Sequence, residues 1–207
     1  MIKNLIFDIG DVLIEYRWMQ MFMDHGVSKS ETIRIASEMF NSDTWGKRLD
    51  AGLINSKQAI EEFRAQYPDD IEIIEWCLTH TELMHVPRPE VWDKIGELKK
   101  HGYKIYLLSN YSEELLESHV KGANFLDYVD GGVISFQIKA IKPDPKIYTA
   151  LLEKYTLKAD ECLFFDDRKK NVDGAIACGM HSIQVTSRDM LNETLTSIIE
   201  GTFQEND

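Results

Sequence analysis

Three observations predict an α/β fold: a three-layer, doubly wound (Rossmann-like) parallel sheet core with an inserted α-helical cap domain. Short apolar runs alternate with amphipathic helical stretches over most of the chain. The runs are continuous rather than alternating in hydrophobicity, as strands covered on both faces require. One stretch, residues 15–87, breaks the rhythm with helical patterns and no convincing strand.

In chain order, residues 4–8 form the first expected strand, ending on Asp8. The insert follows, with helical patterns over 18–25, 29–41, 56–66 and 70–83. Ser28, Asn55-Ser56 and Pro68-Asp69-Asp70 read as caps and turns between them. From there strand and helix alternate: helix 88–101, strand 104–109, helix 113–121, a weak strand 132–135, helix 145–155, strand 161–166, helix 171–178, strand 182–185 and helix 190–200. That succession implies right-handed crossovers and helices on both sheet faces. The expected division is a core from 1–14 and 88–200, a helical cap over 15–87 above the Asp8 end of the sheet, and a frayed tail at 201–207.

A length of 207 residues suffices for one sizeable core or a core with a small inserted domain. Hydrophobic residues make up 43% and charged residues 28%, the balance of a soluble globular protein. The net charge of −12 argues against nucleic acid or an anionic membrane as the main partner. A phosphorylated small molecule stays open, because a local cationic site or a metal ion reverses the field. Cys77, Cys162 and Cys178 lack metal-ligand spacing and read as reduced thiols. No run approaches the roughly 18 apolar residues of a membrane span. A signal-peptide cleavage region is not visible, so a cytoplasmic protein is expected. Nothing specifies an oligomeric state.

Four segments fall at expected C-terminal strand ends, where open α/β sheets keep their chemistry. They are Asp8 with Gly10 and Asp11; Leu107-Leu108-Ser109-Asn110; Ile141-Lys142-Pro143-Asp144-Pro145; and Phe164-Phe165-Asp166-Asp167 running on to Asn171 and Asp173. Each alone has an ordinary alternative: a turn carboxylate, a helix N-cap, a solvated lysine, an acidic turn. In this order, with a helical insert after the first, they resemble the motifs of haloacid dehalogenase superfamily hydrolases over nearly the whole chain. Motifs and insert together look like the sugar-phosphate and small-phosphoester phosphatases of that superfamily, including an α-glucose-1-phosphate phosphatase branch.

The resemblance implies an aspartate nucleophile, Asp8, forming an aspartyl-phosphate and splitting a difficult hydrolysis into two steps. It implies Mg²⁺ held by Asp8, Asp167 and the backbone carbonyl of Gly10, with Asp166 a direct ligand or one shell behind. Lys142 would place a point charge at the phosphoryl group. Ser109 and the backbone amide of Asn110 would bond phosphate oxygens. Asn171, more than Asp173, would orient the loop. Arg168-Lys169-Lys170 reads as a solvated face, and the six histidines as structural or exposed.

One position departs from the pattern. Most family phosphatases carry a general-acid aspartate two residues after the nucleophile, where this chain has Gly10. Asp11, one residue on, would point to the opposite face of an extended strand. General acid help is worth on the order of 10²–10⁴ in rate. A leaving group that needs little protonation, such as the anomeric oxygen of a sugar 1-phosphate, would suffer least. The leading expectation is therefore an Mg²⁺-dependent phosphatase of a sugar phosphate, with sugar 1-phosphates foremost. A metal-independent haloacid dehalogenase and a weakly catalytic binding or regulatory protein are the alternatives. Specificity would come from the cap, where Trp45 is a candidate to stack on a sugar and Lys47 or Arg48 to grip it; core packing for Trp45 and solvation for the two bases is an alternative of at least equal weight.

Overall fold

A computed structural model describes residues 1–204; the expected tail beyond Gln204 lies outside the described residues. In chain order the elements are β1 (Asn4–Phe7), β2 (Ile14–Tyr16), α1 (Trp18–Asp24), α2 (Lys29–Phe40), a π-helical segment (Thr44–Asp50), α3 (Ser56–Gln66), α4 (Ile71–Thr79), β3 (His85–Pro87), α5 (Pro89–Lys100), β4 (Lys104–Ser109), α6 (Glu113–His119), β5 (Gly131–Ile134), the single turn α7 (Ser135–Ile138), α8 (Pro145–Tyr155), β6 (Cys162–Asp166), α9 (Lys169–Ala177), β7 (His181–Gln184) and α10 (Arg188–Glu200).

Five parallel strands form one sheet in the order β5-β4-β1-β6-β7, the expected doubly wound core. The chain fills one side of β1 and then the other, so β1 flanks the switch point where such sheets bind ligands. Its apolar run serves both faces. Leu5 and Phe7 join the cluster with Leu107, Phe165, Leu191 and Leu195. Ile6 joins Leu108, Ile147, Tyr148 and Phe164 on the opposite face. Phe7 and Phe165 stack at 4.9 Å, tying the ends of β1 and β6 together just before their aspartates.

The helix boundaries follow local chemistry. Ser28 and Asn55 make reciprocal capping boxes with Glu31 and Gln58. Ser112 and Ser187 cap α6 and α10, and Asp144 caps α8 with Pro145 in its first turn.

Three features of residues 15–87 differ from expectation, the first being the π-helical segment Thr44–Asp50, which falls between the expected helices 29–41 and 56–66. Short strands β2 and β3 pair antiparallel where the insert begins and ends, Ile14 with Pro87, Glu15 with Val86 and Tyr16 with His85. Three residues are too few for a period-two pattern to stand out. The expected 70–83 helix stops at Thr79, and a 3₁₀ turn over Thr81–Leu83 leads to the returning strand. No helix among the described residues is long and apolar enough to cross a membrane.

Candidate active site

Parallel register brings the ends of β1, β4 and β6 side by side, since Phe7 lies opposite both Leu107 and Phe165. Asp8, Ser109 and Asp166 therefore emerge together. Ser109 donates to Asp8 Oδ1 at 2.5 Å, and the Ile9 amide donates to the same oxygen at 2.8 Å. Lys142 Nζ lies 3.0 Å from it. With three cationic or polar donors on Oδ1, Asp8 Oδ2 is left with no hydrogen bond from the described residues.

Lys142 is fully buried, and its ammonium is spent on three oxygens. It donates to Asp166 Oδ2 at 2.6 Å and to the Leu108 carbonyl at 2.8 Å, besides pairing with Asp8. Asn110 fixes the lysine's backbone from both sides, accepting from its amide at 2.7 Å and donating to its carbonyl at 3.1 Å. Burial alone would drive this ammonium toward neutrality, but Asp166 and Asp8 more than reverse that, and it holds its proton more tightly than an ordinary lysine.

Asp166 is fully buried and saturated: the Arg168 amide reaches Oδ1 at 2.8 Å, and Asn171 Nδ2 reaches both oxygens at 2.9 and 3.1 Å. Asn171 thus orients the loop, whereas Asp173 pairs with Lys169 on the surface. Asp167 stays partly exposed beside them. Burial raises the Asp8 carboxyl to about 7 against the pull of Lys142, with Asp166 and Asp167 adding to the rise. Burial and then Asp166 raise Asp167 to about 6.

Asp8, Asp166 and Asp167 each offer an oxygen within 4.8 Å of the others. Three carboxylates face one buried ammonium, so the cluster is short of positive charge. Asn171 Oδ1 is buried without a partner beside them, an acceptor suited to a water on a cation. Hard oxygen donors with room for water fit Mg²⁺.

Asp8, Ser109, Lys142, Asp167 and Asn171 floor a cavity of about 590 Å³, roofed from the insert by Trp18, Phe40, Trp45, Lys47 and Asp50. Trp45 lines it while packing edge-on to Phe40 at 4.7 Å, so its core and site readings both hold geometrically. Of the two bases expected at the crevice, Arg48 instead pairs with Glu62 at 2.8 Å, while Lys47 lines the cavity. The run read as a solvated face is exposed, yet Arg168 and Lys170 rim the same cavity.

Gly10 sits under an aromatic lid. A Cβ there would lie 2.5 Å from the Tyr16 ring. Tyr16 is held in turn: its hydroxyl bonds Tyr111, whose hydroxyl lies 3.1 Å from His119 Nδ1, while His119 Nε2 bonds the Thr81 carbonyl at 2.9 Å. Asp11 takes a left-handed backbone, φ 54°, and its carboxylate accepts the Tyr16 amide at 2.9 Å. It lines the cavity but is occupied in shaping the turn. Arg88 and Trp92 brace that turn from α5, Arg88 donating to the Asp11 carbonyl at 2.8 Å and Trp92 Nε1 to the Leu13 carbonyl at 2.6 Å. Tyr16, Asp50, Arg88, Trp92 and Tyr111 escaped the sequence reading because no motif spacing marks them.

A haloacid dehalogenase-like hydrolase family model matches residues 2–179. A D-ribitol-5-phosphate phosphatase of Bacteroides thetaiotaomicron is 26% identical over 222 aligned residues, covering 97% of this chain and 100% of that protein. A phosphatase of Mycobacterium tuberculosis is 28% identical over 211, covering 95% of each. A Bacteroides thetaiotaomicron enzyme of the same family, crystallised with magnesium and inorganic phosphate, superimposes with a TM-score of 0.71 at 24% identity, covering 89% of this chain and 94% of that one. The L-2-haloacid dehalogenase of Xanthobacter autotrophicus superimposes with a TM-score of 0.69 at 20% identity, covering 95% and 83%. At such identities the structural likeness speaks for the fold.

Proposed function

The chain belongs to the haloacid dehalogenase-like hydrolases, and on that footing we propose that it is a Mg²⁺-dependent phosphatase of small phosphorylated metabolites with Asp8 as nucleophile. It is a phosphoric monoester hydrolase of this family, as its phosphatase relatives indicate. The observation that carries the mechanism is the one-sided engagement of Asp8. Ser109, the Ile9 amide and Lys142 hold Oδ1, which leaves Oδ2 to attack phosphorus.

A phosphate dianion repels an anionic nucleophile, so attack needs neutralised charge and in-line positioning. Lys142 supplies a fixed ammonium, itself kept charged by Asp8 and Asp166. The Asn110 amide would bond a phosphate oxygen, and Ser109 would join it by turning its hydroxyl from Asp8 as the substrate enters. Asp8, Asp167 and the Gly10 carbonyl would hold Mg²⁺, and Asp166 aligns Lys142 and the loop. When bound, the cation supplies Lewis-acid neutralisation of the phosphoryl oxygens. Attack by Oδ2 forms an aspartyl-phosphate and breaks the bond to the leaving oxygen; water then releases phosphate and regenerates Asp8.

Residues 15–87 would act as the specificity lobe. Trp18, Phe40 and Trp45 give the cavity aromatic walls, and Ser37, Asn41 and Lys47 add polar groups. That mixture suits a sugar or polyol, as does the named substrate of the ribitol-phosphate relative. The narrower expectation of a sugar 1-phosphate holds only if no residue hands a proton to the leaving oxygen. The cytoplasmic expectation rests on the sequence alone.

The test is phosphate release from a panel of phosphorylated metabolites with and without Mg²⁺, with Asp8→Asn as control. Metal-dependent release abolished in Asp8→Asn supports the reading. Chloride release from 2-chloropropionate without metal would replace it with dehalogenation, against which the Asp166-Asp167 pair argues. Tight phosphate-ester binding without turnover would make the protein a binding module.

A further inference from the structure

The Gly10 position cannot supply an acid, but the roof of the cavity can. Asp50 ends the π-helical segment and lines the same cavity as Asp8. Among the described residues its carboxyl makes no ion pair within 4.0 Å and takes no side-chain hydrogen bond; Arg168 and Lys142 act on it only from a distance. Its backbone does. The Asp50 carbonyl accepts from Ser135 Oγ, and the same hydroxyl accepts the Tyr111 amide at 2.9 Å, joining the segment to the loop after Ser109. Two residues on, Lys139 Nζ donates to the Gly52 carbonyl. Gly52 has φ +65° and seats so closely that a Cβ would lie 2.6 Å from Phe136 Cβ. The segment carrying Asp50 is thus clamped to α7 and the residue after it, on the wall of the cavity that Asp8 also lines.

We propose that Asp50 is the proton donor to the leaving group, in place of the aspartate absent at position 10. The proposal rests on the phosphatase reading above. As Asp8 Oδ2 bonds to phosphorus and the ester bond breaks, the Asp50 carboxylic acid gives its proton to the departing alkoxide, releasing an alcohol. The Asp50 carboxylate then takes a proton from the water that attacks the aspartyl-phosphate, and the Asp8–phosphorus bond breaks to give inorganic phosphate. Both protons are accounted for, and the acid is restored each cycle. Burial raises this carboxyl well above the ordinary carboxylate range; Arg168 opposes that, Asp8 reinforces it and Lys142 opposes it, a net shift in the direction a proton donor needs. The hydroxyls of Tyr16 and Tyr111 also face it and stay protonated, each raised by burial. With a donor in place, the demand for an anomeric leaving group falls away, and primary-alcohol phosphates become substrates.

The experiment compares kcat/KM of wild type and Asp50→Asn for glycerol phosphate and p-nitrophenyl phosphate, whose phenolate leaves without a proton. Asp50→Asn is expected to lose on the order of 10²–10⁴ for glycerol phosphate and at least about tenfold less than that for the nitrophenyl ester. A second reading needs no turnover. The folded-state pKa of Asp50 is raised, so its ionisation weakens folding as pH climbs from about 4. Asp50→Asn should therefore gain in Tm over wild type between pH 5 and 8. Equal losses on both esters, no loss on either, or a variant destabilised at every pH would overturn the assignment while leaving the phosphatase reading standing. A wild type that hydrolyses neither ester with Mg²⁺ would overturn both.

Discussion

Gly10 looks permissive and is not. The Tyr16 ring occupies the space an aspartate side chain would need, and the ring cannot swing away without giving up Tyr111. Restoring the family residue by Gly10→Asp should lower stability by about 1–3 kcal/mol, the usual cost of overpacking, with no gain in phosphate release. Adding Tyr16→Ala should recover much of that stability, a coupling measurable in a urea-denaturation double-mutant cycle. A Gly10→Asp variant that is as stable as wild type and faster would sink the idea. Lys142 shows the reverse economy. One fully buried side chain meets three oxygens, and its charge survives there only because two carboxylates lie beside it. Removing Lys142 leaves both carboxylates without their cation in low dielectric.

At the scale of elements, the site depends on a brace and a relay. The brace is α5, whose first turn ties down the carbonyls following Asp8 through Arg88 and Trp92. The relay runs from β2 through Tyr16, Tyr111 and His119 to the Thr81 carbonyl, linking both ends of the insert to the loop after β4. Since His119 Nε2 must donate to that carbonyl, Nδ1 is the acceptor and the ring is neutral. Burial, helped by His85, lowers its pKa from 6.5 to about 4. As pH falls, the unfolded chain takes up this proton first, so the stability is whole above 6.5 and is lost on the way down to 4. The loss is at most about 3 kcal/mol. His119→Gln, which keeps one donor and one acceptor, should flatten the fall in Tm between pH 6.5 and 4.5; an unchanged slope would show the relay untouched by acid. The relay was illegible in the sequence because its members are up to 103 residues apart in chain order, from Tyr16 to His119, and hydrogen bonds of that range leave no periodicity. The core strands and the helix caps were legible, because buried runs and capping side chains are local facts. Ser109, Lys142 and the two aspartates after β6 were legible as motifs, but their convergence on one oxygen of Asp8 is a matter of strand order.

For the whole molecule, the acid surplus at the C-terminal ends of β1 and β6 predicts how it should answer to metal. If Asp8 and Asp167 hold Mg²⁺ in the folded state only, a hundredfold excess over Kd stabilises by about 2.7 kcal/mol, a rise of roughly 5–10 °C in Tm for a chain of this size. Asp167→Asn should erase most of the rise, and the absence of any rise at millimolar Mg²⁺ would count against the metal site. The β2–β3 ribbon has a different consequence. Because Ile14 lies beside Pro87 and Tyr16 beside His85, the chain leaves and rejoins the sheet at neighbouring points. To the five parallel strands, everything between is one hairpin loop, whatever its size. Closing such a loop costs free energy that grows only with the logarithm of its length. The roof is thus a cassette: grafting another at the same two seams would exchange the chemistry recognised and leave the nucleophile standing, provided the graft brings its own proton.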